Sequence, residues 1–263
     1  MSTIARSSAV YVYGLVRANL DLELGPIGIH EDGAPAPVYT LPVGRIAAVV
    51  SARKERSFVL PARGDLDAHQ RVTSRTMEVG TILPFAFGQV ARNEREVSRF
   101  LRAHQSSVSR ELDRLEGKVQ MGLKVQWEVN NIYQYIIDTN PELAYLRDRL
   151  FTSTDPSGLA EQIELGQRFE ACLQAKRAQV VNSLVDGLAV NLVPPKELPV
   201  RSEKAVADLM FLIERSDRAR FEEDVRQLAA AWPPEYAFRV TGPWAPFNFV
   251  ELQLSGSTRS YQS

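Results

Sequence analysis

Three spacings of apolar and polar positions divide the chain into elements. Residues 118–129 (KVQMGLKVQWEV) alternate without a fault. Val119, Met121, Leu123, Val125, Trp127 and Val129 take one side, and Lys118, Gln120, Gly122, Lys124, Gln126 and Glu128 the other. A period of two predicts a strand with one buried and one wet face. Residues 9–17 are rich in Val and Tyr and apolar on both sides, the mark of a strand covered from both faces. Residues 45–51 (RIAAVVS) repeat that mark, after a turn-rich connection holding Gly25, Pro26, Gly28, Gly33, Pro35 and Pro37. Leu66, Val72, Met77 and Val79 give residues 65–81 a helical stripe. Residues 82–90 (ILPFAFGQV) read as an aromatic strand bracketed by Pro84 and Gly88. Asn93 is placed to cap a helix with Glu96 reaching back, Val97, Phe100, Leu101, His104, Val108, Leu112 and Leu115 follow at helical spacing, and Gly117 closes it.

A short helix over residues 130–140 stops at the Asn140–Pro141 step, because the residue before proline is pushed out of the helical region. The domain junction is expected here. Leu159, Ile163, Phe169, Leu173, Val180, Leu184 and Leu188 then predict one helix over about 157–190. Some 30 residues at 1.5 Å each make roughly 45 Å, more than a compact domain requires, so the helix offers a surface for self-association. Pro194, Pro195 and Pro199 end it, and residues 205–213 (AVADLMFLI) read as a buried strand. Ser216 or Asp217 caps a helix with Phe221, Val225, Leu228 and Trp232 inward, and residues 236–240 form a last strand. It leads into TGPWAPFNFVEL, residues 241–252, and the polar tail from 255 to 263 is expected to be disordered. The fold class is α+β with two domains: a variant ferredoxin-like sheet with helices on one face over residues 1–129, and a C-terminal α+β domain with the long helix over 130–254.

A chain of 263 residues with 44% hydrophobic and 24% charged residues suits two soluble globular domains. With 31 basic and 32 acidic residues no global field gathers nucleic acid or anionic lipid. The single Cys172 excludes an internal disulfide and fits a reducing cytoplasm. The N-terminal apolar run is too short for a leader, and no stretch reaches the roughly 18 to 20 apolar residues that span a bilayer, so no membrane is expected.

Candidate chemistry is sparse. His30, His69 and His104 stand too far apart for a local metal motif. Asp65 and Asp67 suit the positive end of a helix. Gly117-Lys118 lacks the rest of a phosphate loop, Gly25 and Gly28 lack the dinucleotide fingerprint, Cys172 sits beside Leu173 as a packed thiol, and no strand carries the basic, aromatic signature of an RNA-recognition domain. No catalytic, cofactor-binding or metal-ligating residue is assigned. A catalytic or small-molecule reading would require several of Asp65, His69, Arg71 and Glu78 to converge in a deep pocket.

Five segments in order, YVYGLV at 11–16, ILPFAFGQV at 82–90, GKVQMGLKVQWEV at 117–129, DLMFLIER at 208–215 and TGPWAPFNFVEL at 241–252, together resemble the gas vesicle protein GvpF/GvpL family. The family usually carries a glutamate where Gln120 stands, and GPWPPYSF is nearer its usual ending. The resemblance implies a non-enzymatic, cofactor-free assembly factor or minor structural protein of the gas vesicle, acting at the vesicle or in the cytoplasm. It also implies contact with the hydrophobic shell protein GvpA and other Gvp accessory proteins. A general protein-interaction or chaperone-like adaptor is the alternative. Trp244, Phe247 and Phe249 either seal the second domain's core or, with Phe85 and Phe87, meet a partner.

Overall fold

The computed structural model describes residues 9–54, 62–152, 159–188 and 193–252. The chain divides into two compact units: residues 121–242 form one, and residues 243 onward rejoin the unit begun by the first 120.

The first unit starts with β1 (Ala9–Arg17), a two-residue hairpin β2 (His30–Glu31) and β3 (Ala34–Pro35), then β4 (Val38–Val43) and β5 (Ile46–Arg53). Helix α1 (Arg63–Val79), the short β6 (Leu83–Pro84) and β7 (Val90–Ala91), and helix α2 (Glu94–Arg114) follow. The sheet runs β4-β5-β1-β6, with β7 also on β1, and its pairs are antiparallel. Every residue of β1 from Ala9 to Val16 is buried, as its two-sided apolar pattern requires. The register slips between Val12 and Gly14, and a Cβ on Gly14 would stand 2.6 Å from the Leu83 carbonyl oxygen. Only glycine lets β6 approach this closely. Asn93 caps α2 by accepting the Glu96 amide at 2.9 Å, and Gly117 takes φ 70° just past its end.

The second unit contains β8 (Lys118–Trp127) from Met121 onward, α3 (Ile132–Asp138), α4 (Pro141–Thr152), α5 (Leu159–Gly187), β9 (Lys196–Glu197), β10 (Ala205–Glu214), α6 (Arg218–Ala230) and β11 (Tyr236–Trp244). Its sheet order is β11-β8-β10-β9. The Trp127 amide donates to Lys204 O and the Glu128 amide to Glu235 O, while Gly122 lies against Thr241 and Lys124 against Asp208, so β8 runs antiparallel to both β10 and β11. Met121, Leu123, Val125 and Trp127 are buried while Lys124, Gln126 and Glu128 are exposed. Phe211 and Phe221 meet at 5.2 Å between β10 and α6, and the Arg177 guanidinium of α5 lies 5.7 Å over the Trp127 ring.

Several expectations need correcting. The alternating strand pairs in the second unit's sheet, not in the first, because alternation specifies a wet face but not a neighbour. Its polar side is wet only in its second half: Gln120 is buried, and Gly122 packs so close to β11 that a Cβ would meet Thr241 Oγ1 at 2.4 Å. In the first unit the turn-rich connection from β1 to β5 has no helix, as expected, but it also holds the β2–β3 hairpin and the strand β4, and burial of β1 and β5 leaves that part of the sheet with no wet face. Pro141 starts α4 rather than merely ending α3, since Asn140 Oδ1 accepts the amides of Glu142 and Leu143 at 3.1 and 3.2 Å. Asp217 does precede α6, but a 3-10 turn leads in and its side chain makes no capping bond. Leu173, Val180 and Leu184 of α5 are buried, whereas Leu159 and Ile163 are exposed. The tail from 255 to 263 lies outside the described residues.

Candidate functional site

Tyr11 and Tyr13 stand two apart on β1 and therefore share a face, with ring centroids 4.8 Å apart. A buried tyrosine must satisfy its hydroxyl. Tyr11 Oη lies 2.8 Å from His69 Nδ1 of α1, and His69 Nε2 lies 3.1 Å from the Phe85 carbonyl oxygen. A carbonyl only accepts, so Nε2 carries the imidazole proton and Nδ1 takes the Tyr11 hydroxyl hydrogen. The Gly88 amide, where φ is 92°, completes the set by donating to Tyr11 Oη at 2.9 Å. Tyr13 Oη pairs with Ser51 Oγ at 3.0 Å and accepts the Ile29 amide at 2.8 Å. Two ring hydroxyls and one imidazole thereby fasten the 85–88 turn and the loop before β2 to the sheet.

Each of these groups is held neutral. Burial lowers the His69 pKa from 6.5 to about 4, against the opposing hydrogen bond to Phe85. Burial likewise raises the Tyr11 and Tyr13 hydroxyls above their ordinary value.

Residues 243–252 return to this unit as a strap with a 3-10 turn at Phe247–Phe249. Three backbone groups tie it down. The Asn248 amide donates to Gln120 Oε1 at 2.9 Å, the Glu251 amide to Glu111 Oε1 at 2.6 Å, and Arg114 donates to the Phe249 carbonyl. Arg114 also forks onto both Glu111 oxygens at 2.9 and 2.7 Å, a geometry that suits guanidinium and carboxylate. Burial alone would raise the Glu111 carboxyl, but the Arg114 hydrogen bonds, the Glu251 amide and the Arg114 charge together outweigh it and hold the carboxyl low. Ala245, Pro246 and Phe249 are buried beneath the strap.

Phe247 stays half-buried, its ring 6.1 Å from His69, and Phe87 approaches the same imidazole at 5.8 Å. Between them opens a shallow depression of about 410 Å³, bounded also by Leu66, Asp67, Gln70 and Ala86. Of the sequence-predicted candidates, Phe87 and Phe247 are thus brought together. Phe85 instead turns to Phe100, at 6.5 Å, Phe249 anchors the strap in the first unit, and Trp244 is half-buried outside the depression. Asp65 meets His30, Glu78 pairs with Arg75, and Arg71 is exposed, so these three do not converge on His69. Sequence marks His69 only within the catalytic or small-molecule reading and does not mark Tyr11; a Tyr-x-Tyr step inside a wholly apolar strand is the available signal, since two buried hydroxyls demand partners. Among the described residues no group of three His, Cys, Asp or Glu could hold a metal ion, and no helix is long and apolar enough to cross a membrane.

Two antiparallel sheets with helices, and one long helix, define an α+β fold shared with gas vesicle proteins. The crystal structure of GvpF from Microcystis aeruginosa matches with a TM-score of 0.76 and 22% identity over 93% of this chain and 100% of that one. The GvpF structure from Anabaena sp. matches with a TM-score of 0.76 at 20% identity over 94% of this chain and 100% of that one. The chain belongs to the GvpL/GvpF family of gas vesicle synthesis proteins, whose pattern it matches over residues 9–251. Gas vesicle protein F of Streptomyces sp. strain CB03234 is 29% identical over 92% of this chain and 100% of its own length, and gas vesicle protein L of the same strain is 28% identical over 92% of each. Membership implies a role in gas vesicle synthesis.

Proposed function

We propose that this protein is an assembly factor or minor structural component that contacts the shell protein GvpA, with Phe87, Phe247 and Leu66 as the contact rim. The observation that carries this reading is the pair of half-buried phenylalanines fixed over a neutral, hydrogen-bonded imidazole. A subunit bound for an apolar shell exposes apolar surface before assembly, and preorganised aromatic rings cover such surface at low entropic cost. Neutrality of the floor matters because an apolar partner would have to desolvate any charge there. The work takes place at the growing vesicle or in the cytoplasm around it. The ferredoxin-like description fits the second unit: its order β11-β8-β10-β9, with helices between β8 and β9 and between β10 and β11, supports a split β-α-β arrangement.

The test is co-purification with GvpA. Phe87→Ser with Phe247→Ser weakens the association by about tenfold or more, as expected when aromatic anchors are lost. The melting temperature of the double variant checks that the strap is still in place. Undiminished capture by the intact double variant, or normal vesicles in electron micrographs of a strain lacking the gene, would overturn the assignment.

A further inference from the structure

The sheet edges of this protein are not alike. β9 is two residues long, with a lysine and a glutamate. On β4 the Val38 amide already donates to Gly25 O, Pro42 has no N–H, and the Val43 carbonyl accepts from Gln105. Short length, proline and occupied groups are the usual guards of an edge. β11 ends the other side of the second unit's sheet and has nine residues. The Glu235 carbonyl points to β8, so Ala237, Arg239 and Thr241 also face β8, while Phe238, Val240 and Gly242 turn their N–H and C=O outward. Among the described residues no strand pairs with that outer side.

The side chains beside this edge have two characters. On one face Trp232 packs edge-on against Tyr236 and Phe238 at 5.3 and 5.4 Å, forming an apolar shelf whose rings are all half-buried. On the other face a charge row crosses the sheet. Asp208 of β10 pairs with Lys124 of β8 at 3.1 Å. Counting from the Glu128–Glu235 bond, and consistent with Gly122 facing Thr241, Lys124 stands opposite Arg239 of β11. Arg239 is exposed and makes no ion pair among the described residues. Anion, cation, cation is an unfinished sequence, and the next place in the row lies off the edge.

We propose that β11 receives an extended segment of another polypeptide as a fifth strand, one that sets apolar side chains on the Trp232–Phe238 shelf and a carboxylate across from Arg239. Free main-chain groups supply the affinity and the charge row fixes the register. Pairing of two β11 strands about a twofold at Arg239 would oppose two guanidiniums, so that self-association is disfavoured. This surface is separate from the Phe87–Phe247 rim and does not depend on it.

The probe is a ten-residue peptide of alternating valine and threonine with one central glutamate and a lysine at each end, added to the full chain. Amide exchange read by NMR is expected to slow at least about tenfold at Phe238 and Val240 and to stay unchanged at Ala237, which already faces β8. A peptide with lysine in place of the glutamate is expected to bind about fivefold more weakly, and Arg239→Glu reverses that preference. Val240→Pro removes only an outward amide, a change that edge strands tolerate, and abolishes protection at Phe238. Should that variant misfold, the Arg239→Glu preference decides. Unchanged exchange overturns the proposal. So does protection at Phe238 and Val240 without peptide: if it grows with protein concentration a second copy is the occupant, and if it does not, residues 253–263 of the chain itself are.

Discussion

The fully buried polar and charged residues among those described all lie in the first unit, most of them fastening one segment to another, whereas the second unit is closed by apolar side chains. In the first, Tyr11, Tyr13, His69, Glu111 and Gln120 are all buried and each holds a loop, a turn or the strap through a hydrogen bond, while the buried Ser51 partners the Tyr13 hydroxyl. In the second, β8 sets Lys124, Gln126 and Glu128 in solvent and relies on Leu123, Val125, Trp127, Phe211 and Phe221 inside. Buried hydrogen bonds specify one arrangement but lose their value when a partner protonates or is deleted. Apolar packing is indifferent to pH and punishes lost volume instead. The two units are therefore expected to fail in different ways.

The largest effect tests the second unit. Trp127 is fully buried, and Trp127→Ala is expected to cost about 3–5 kcal/mol in urea denaturation. Amide protection should vanish from β10 and α6 while β1 and β5 keep theirs, and equal loss everywhere would erase the distinction. Next comes pH. The His69 imidazole titrates near 6.5 when unfolded and near 4 when folded, so between these values the unfolded chain holds the extra proton. Its contribution is fully present above pH 6.5 and is lost as pH falls toward 4, by up to about 3 kcal/mol. Denaturation curves at pH 7, 5.5 and 4 should show the slope, and His69→Asn should flatten it; a level wild-type profile contradicts the fastening role. The smallest effects come from one strand. Gln120→Leu strands the Asn248 amide and costs about 1–3 kcal/mol, whereas Gln126→Lys, six positions along the same face, stays within about 0.5 kcal/mol. Equal losses at Gln120 and Gln126 would remove the contrast.

Where local spacing decides structure, the sequence was readable. Ala9–Arg17 is the strand its two-sided apolar run predicts, α2 carries the stripe from Val97 to Leu112, and α5 runs close to its expected span. β4 carries no local strand signal because Val38–Val43 contains a proline and follows a run of turn residues, so that only its pairing with β5 makes it a strand. The burial of Gln120 is equally nonlocal, since it depends on residue 248 arriving from the far end of the chain. The site shows the same division. Aromatic residues marked Phe87 and Phe247 as candidates, but no spacing rule joins α1, the 85–88 turn and the strap around His69, nor does one distinguish Phe247 at the rim from Phe249 beneath it.

The strap also sets an order in time. Residues 243–252 leave the ribosome only after residues 121–242, a delay on the order of ten seconds at ordinary rates of translation. Throughout that interval the nascent first unit has neither Phe249 in its core nor an amide on Gln120 and Glu111, and its unfilled apolar seam is open to chaperones. Completion of the first unit thus waits on a turn made after the whole of the second, so a chain stalled before residue 243 lacks the groups that close the first unit.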